Sequence, residues 1–375
     1  MTVADGMSRT RWGVGIIGLQ PGRSWAAVAH VPALRALADD FAIIGVANSS
    51  QASAEAAAKA SDLPRAFASA SALIASPEVD VVVVTVKVPH HFAIVREAIA
   101  AGKHIYCEWP LGNGLDEARE LARLAQAAGI VAVAGTQARV APEIQYLRQL
   151  ITEGYVGDVL STSLIGSGMI LGPTVEPRSI YLMDRANGAN MLTIPVGHTL
   201  AAVREVLGEV TELSARLVNR RTSARVEGTG EVQPMTAHDQ VLMEGVLDGG
   251  APISLHYRGG LSRGTGLLWE INGTEGDIQV SGANGHAQMV QLALAGARGN
   301  ERVLRPIEVP EGFYAGLPDS VLARNVACVY ARMAADLRDR TRTAPSFDDA
   351  VTLHRLLAAI ERSSEDGFRV SPSVV

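Results

Sequence analysis

The stretch WGVGIIGLQPGRSW, residues 12–25, decides the fold. Its first part, 12 to 19, is continuously apolar and β-rich, as a strand buried on both faces must be. A glycine-bearing turn follows and leads into an Ala-rich helical segment at 25–38. Strand, glycine turn and helix in that order form the opening unit of a doubly wound parallel sheet. The alternation continues outward from it. Buried strands are predicted at 41–47 (FAIIGVA), 80–86 (DVVVVTV), 104–107 (HIYC) and 130–134 (IVAVA), with helices at 51–60, 69–75, 90–101 and 114–128.

After Gln137 the texture changes. PEIQYLRQLITEG (142–154) is amphipathic and stops on Gly154. Longer, alternating strands separated by Gly-rich turns are then predicted at 157–168, 208–220, 239–247, 252–258, 267–272, 276–281 and 288–293. A helix at 195–207 interrupts them, and helices at 318–340 and 347–362 close the chain. The expectation is α/β plus α+β: a Rossmann dinucleotide-binding domain over 1–136, then a substrate and oligomerisation domain over 137–375 with an open-faced, mostly antiparallel sheet. With 375 residues, 47% of them hydrophobic and 19% charged, the chain has enough apolar material for two cores.

The net charge of −6 comes from 39 acidic and 33 basic residues without a basic stripe, which argues against direct nucleic-acid binding. The N-terminal MTVADGMSRTRWG lacks the apolar stretch of a signal peptide, and the apolar runs are of strand length, so a cytoplasmic protein without membrane contact is expected. Cys107 and Cys328 fit no metal or redox spacing and read as reduced, buried thiols. Lysine is scarce, present only at 59, 87 and 103.

The turn after the first strand departs from the regular G-x-G-x-x-G spacing. Gly18 serves as its first glycine, Gln20 stands where the second would be, and Gly22 lies one residue off the third. Arg23 and Trp25 flank Ser24, a candidate helix N-cap at which a pyrophosphate would rest. The second strand ends on Asn48-Ser49-Ser50, where a carboxylate would usually receive the ribose hydroxyls. Without that charge a 2′-phosphate is tolerated, and Ser49, Ser50 and Arg23 are placed to bind one, so NADP is favoured over NAD. The alternative is a merely polar turn.

These residues, together with TVKVPHH (85–91), AGKHIYCEWPL (101–111), GTQARVAPEIQYLRQLITEGYVGDV (135–159) and INGTEGDIQV (271–280), resemble the glucose-fructose oxidoreductase and inositol dehydrogenase (Gfo/Idh/MocA) family over nearly the whole chain. Ser24-Trp25-Ala26, His30 and IPVGHTL (194–200) are similar to the branch containing the fungal galactose-regulon repressor and its bacterial relatives. The resemblance implies a nicotinamide dinucleotide, held by Thr85, Val86, Lys87, one of His90 and His91, Glu108, Trp109, Pro110 and Gln137. It also implies a small-molecule substrate and a homodimer or homotetramer built through the second sheet. Two departures stand out. The family's catalytic lysine is replaced by Trp109, and its motif aspartate is missing ahead of His198, which matches the family histidine.

Hydride transfer needs a group to move the hydroxyl proton. The candidates are His198, alternatively a core or cap histidine, and Lys87, alternatively a surface lysine. Trp109 stacks on substrate or plugs the lysine's space. Arg139 binds an oxygen-rich ligand or forms an interdomain salt bridge, and Tyr181, Asp184 and Arg185 line the substrate side by position. His90 and His91 form no metal site, because no carboxylate or cysteine completes a ligand set. The expected activity is NAD(P)-dependent oxidation or reduction of a sugar, polyol or related small alcohol or ketone. The alternative is a non-catalytic, dinucleotide-bound regulator acting through protein contacts.

Overall fold

The computed structural model describes residues 11–375; residues 1–10 of the N-terminal stretch considered above lie outside them. The first sheet is built from β1 (Trp12–Ile17), α1 (Val31–Ala36), β2 (Phe41–Ala47), α2 (Gln51–Ala60), β3 (Ala66–Phe67), α3 (Ala70–Ile74), β4 (Val81–Val84), α4 (His91–Ala100), β5 (His104–Glu108), α5 (Leu115–Ala128) and β6 (Ala132–Gly135). Its strands are all parallel, in the order β3-β2-β1-β4-β5-β6. The order reverses between β1 and β4, the switch point at whose carboxyl edge such sheets bind ligands. Gly15 lets a helix approach closely, since a Cβ there would lie 2.5 Å from Leu73.

The chain continues with α6 (Pro142–Thr152), β7 (Val159–Ser167), β8 (Thr174–Val175), α7 (Gly197–Leu207), β9 (Val210–Val218), β10 (Ser223–Val226), β11 (Val232–Pro234), β12 (Gln240–Leu247), β13 (Pro252–Arg258), β14 (Leu267–Gly273), β15 (Gly276–Gly282), β16 (Ala293–Arg298), β17 (Arg305–Ile307), α8 (Val321–Asp339) and α9 (Phe347–Asp366). An eight-stranded, mostly antiparallel sheet runs β17-β16-β15-β14-β7-β13-β12-β9, with one parallel pair, β7 with β13. Its strands alternate buried and open positions. One side packs on helices, while Ile165 and Leu242 stand exposed on the other.

Several local expectations change. The helix expected at 25–38 splits into a π turn, Ala26–His30, and α1. The helix expected at 195–207 begins earlier with a second π turn, Leu192–Val196, whose wider winding accommodates Pro195 and its missing N–H. The strand expected at 288–293 lies instead at β16, because the preceding segment crosses to α8, where Asn325 Nδ2 donates to the Gln288 carbonyl at 3.1 Å. Strands β3, β8, β10, β11 and β17 are additions to the expected set: two to four residues carry too little periodicity to mark a strand.

Helix α8 does not stay with the second sheet. Val326, Ala327, Val329, Tyr330 and Met333 are buried in one core with Val14, Ile16, Leu34 and Tyr106 of the first layer. The stretch 137–375 is therefore continuous in sequence but not in space.

Candidate active site

At the carboxyl edge of β1 the chain turns through Gly18 at φ +101° and Gly22 at φ +73°. At Gly18 a side chain is excluded twice, by the backbone angle and by Val86, whose Cγ1 would lie 2.8 Å from a Cβ. Ser24 Oγ accepts from the Gln20 N–H at 2.9 Å and the Ala27 N–H at 3.3 Å, closing the turn. Asn48 is occupied in the same task. Its Oδ1 accepts from the Leu19 N–H, and its Nδ2 donates to the Leu19 carbonyl, both at 2.9 Å. Ser50 Oγ caps α2 through the Ser53 N–H. Of the residues expected at the ribose end, Arg23 and Ser49 remain exposed and uncommitted to such caps.

The β4 edge is fastened to the turn by Thr85 Oγ1, which donates toward the Ile17 and Gly18 carbonyls at 3.0 Å. Lys87 is exposed, with Nζ 4.6 Å above the Tyr181 ring, so these two residues do meet. The adjacent histidines separate in role. His90 is exposed, whereas His91 is 1% exposed with its ring nitrogens 2.8 Å from the Pro110 carbonyl and 2.9 Å from the Val86 carbonyl. His91 thus clasps the loops after β4 and β5 together. Burial pushes its pKa below the ordinary histidine value.

Beyond β5 lies a buried polar network that the residue pattern did not reveal. Glu108 Oε1 faces His30 Nε2 at 2.8 Å, and the Gln137 amide donates to both Glu108 oxygens at 2.7 and 2.9 Å. On its other side His30 Nδ1 meets the Tyr330 hydroxyl at 2.8 Å, and Gln137 also reaches Tyr106 at 3.2 Å. His30 is fully enclosed while the Glu108 side chain retains 14% exposure. The carboxylate is therefore the wet end of a dry relay.

Trp109 fills the lysine's place from within. It is 5% exposed, donates from Nε1 to the Thr193 carbonyl at 2.6 Å and lies 4.5 Å from the His354 ring. Gly197 is required beside it, since a Cβ there would lie 2.8 Å from the indole nitrogen. The stacking platform considered above gives way to a plug. His198, the next residue, is 3% exposed and its Nδ1 has no partner among the described residues. Burial first, and His286 second, push its pKa down to about 3. A ring so dry and so reluctant to charge is a poor proton carrier at neutral pH.

Arg139 is also committed elsewhere. It pairs with Glu205 at 2.7 Å and Asp349 at 3.1 Å, the salt-bridge alternative of the sequence reading. Asp184 caps the short turn 185–187 and accepts from Thr236 Oγ1 at 3.1 Å, while Arg185 lies 3.6 Å from Glu365.

The site fits a dinucleotide on its own geometry. It joins the switch point, the two positive-φ glycines and two buried polar atoms without a partner among the described residues, Trp25 Nε1 and Gln137 Oε1. The described residues contain no group of three or more His, Cys, Asp or Glu able to hold a metal ion.

Fold and site together define a protein of two large sheets, the first of them a parallel layer of the dinucleotide-binding type. A family model described as an oxidoreductase family with an NAD-binding Rossmann fold matches residues 12–136, and one described as the Gal80p C-terminal domain matches 142–282. The dehydrogenase aclE of Aspergillus oryzae is 30% identical over 94% of this chain and 96% of its own length. The galactose/lactose metabolism regulatory protein GAL80 of Kluyveromyces lactis is 25% identical over 94% of this chain and 93% of its own. A solved structure of Gal80p from K. lactis aligns at a TM-score of 0.85 and 26% identity, covering 97% of this chain and 95% of that one. A levoglucosan dehydrogenase in complex with NADH and levoglucosan shares the fold at a TM-score of 0.83 and 20% identity, over 96% and 99% of the two chains. The chain belongs to the Gfo/Idh/MocA oxidoreductase family, in the branch that resembles the galactose repressor.

Proposed function

We propose that this protein is an NAD(P)-dependent oxidoreductase of a small, neutral alcohol or ketone of the sugar or polyol type, in which Glu108 takes over proton handling from the missing lysine. The observation that carries this reading is the Glu108–His30–Tyr330 chain, open to solvent only at the carboxylate. The dinucleotide supplies hydride transfer when bound. Glu108 accepts the hydroxyl proton of the substrate, His30 holds the carboxylate in place, and Lys87 offers its ammonium to a substrate oxygen from the β4 edge. Trp109 and His354 keep water out behind the reacting centre. Arg23 and Ser49, with no carboxylate among 48–50, support NADP over NAD. Association through the exposed sheet face that carries Ile165 and Leu242, and a cytoplasmic location, complete the proposal.

The test is a panel of neutral polyols, sugars and their ketones, followed by nicotinamide absorbance in both directions with each coenzyme. Glu108→Gln is expected to bind the dinucleotide and lose at least about 100-fold in turnover. Full turnover in that variant removes Glu108 from the chemistry.

A second reading is favoured by one observation, the sealing of the lysine position by Trp109. In it the protein binds a nicotinamide dinucleotide and acts as a regulator through protein contacts, as the similarity to GAL80 suggests. Tight coenzyme binding, seen by fluorescence, without turnover across the whole panel selects this reading over the first.

A further inference from the structure

Away from the glycine turn, the 137–140 segment, α6, α7, α8 and the approach to α9 enclose a groove of about 630 Å³. It is lined by Arg139, Arg148, Arg204 and Arg332 with Glu205 and Glu209, and shares no residue with the nucleotide edge at 18–25, 85–91 or 108–110.

The charges do not balance. Arg139 and Arg148 share Glu205, at 2.7 and 3.2 Å. Arg139 also shares Asp349 with Arg204, at 3.1 and 2.7 Å, and Arg204 takes Glu209 at 3.0 Å. Four guanidinium groups thus face three carboxylates. Arg332 is the one left over: among the described residues its hydrogen bond is to the Thr343 carbonyl at 3.3 Å, and no carboxylate stands within salt-bridge reach. Burial pushes its pKa down, and Arg139 and Arg148 act in the same direction against Glu205. A half-buried guanidinium crowded by two others calls for an anion, and its planar fork of donors suits two oxygens of one tetrahedral group.

We propose that this groove binds a phosphate group, with Arg332 as its principal counter-ion and Arg148 at its rim. The carboxylates keep the outer arginines in place, so the walls are fixed before the anion arrives. Two sources present the same chemistry, free inorganic phosphate and a phosphomonoester metabolite. The groove's volume admits either.

The full-length protein is titrated calorimetrically at constant ionic strength with inorganic phosphate and, separately, glycerol 3-phosphate, against a chloride control. Saturable binding of either probe is expected, and tighter binding of the ester assigns the site to phosphorylated metabolites. Arg332→Met is expected to weaken binding at least tenfold, and Arg332→Lys less so. Arg263→Met, at an exposed position outside the groove and the nucleotide edge, is expected to leave phosphate affinity unchanged. Arg148, with 54% of its side chain exposed, provides a variant that spares the fold, and Arg148→Met is expected to weaken binding at least threefold. No saturable binding above the chloride control overturns the proposal, as does unchanged affinity in both the Arg332→Met and Arg148→Met proteins. Coenzyme binding measured in parallel separates failure here from failure of the oxidoreductase reading.

Discussion

Acid is expected to unfold this protein through its histidines before its carboxylates. His198, His286 and His354 are 3%, 5% and 4% exposed, and burial pushes their pKa values down to about 3, 4 and 3. In the unfolded chain each titrates near the ordinary 6.5. Between those values the unfolded state holds protons that the folded state refuses, so stability rises with pH and falls on acidification below 6.5. Each ring contributes about 1.4 kcal/mol per pH unit, or about 2 kcal/mol at pH 5. Three such rings remove about 6 kcal/mol, comparable with the whole stability of many folded proteins. Urea unfolding at pH 8, 7, 6 and 5 measures the slope. His354→Phe keeps an aromatic ring against Trp109 and removes one titrating group, so its slope below pH 6 should fall by about 1.4 kcal/mol per pH unit. A flat profile from pH 7 to 5, or a His354→Phe slope equal to wild type, refutes the reasoning.

Three further outcomes follow from the same geometry. Tyr330→Phe keeps the ring packing but leaves His30 Nδ1 buried without its 2.8 Å partner, which should cost about 1–3 kcal/mol in urea unfolding; a loss under about 0.5 kcal/mol would show that the bond is idle. Gly18→Ala should abolish dinucleotide fluorescence quenching, because the φ of +101° and the Val86 contact force the turn to move; unchanged affinity would place the nucleotide elsewhere. Asp349 has its pKa raised by burial but more than offset by Arg139, the Ser346 N–H and Arg204, so its carboxyl lies below the ordinary value. Its contribution is present at neutral pH and lost only as pH falls below about 3.8, and Asp349→Asn should cost about 1–3 kcal/mol at pH 7 without altering the slope between pH 7 and 5.

The sequence made the first layer legible because strands buried on both faces leave unbroken apolar runs, as VVVV at 81–84 does. It also made the glycine turn legible, since only a few residue types tolerate that backbone. The relay around Glu108 was not legible. His30, Tyr106, Gln137 and Tyr330 come from four elements, and no local spacing encodes a contact between residues 30 and 330. For Arg139 and His198 the sequence leaves two readings open, a ligand site or a structural role, and partner carboxylates and burial, both set by tertiary packing, bear on which applies. The π turns at 26–30 and 192–196 were invisible for a related reason, since one added residue per turn leaves the apolar pattern almost unchanged.

The return of α8 to the first layer bears on how this protein can be cut and recombined. A fragment ending near residue 136 would carry every parallel strand yet leave Val14, Ile16 and Leu34 without the ridge of Val326, Val329, Tyr330 and Met333 that covers them. The set of residues that closes this core is consequently discontinuous in sequence. A chimera that exchanges the nucleotide-binding half between homologues must transplant 321–339 along with it.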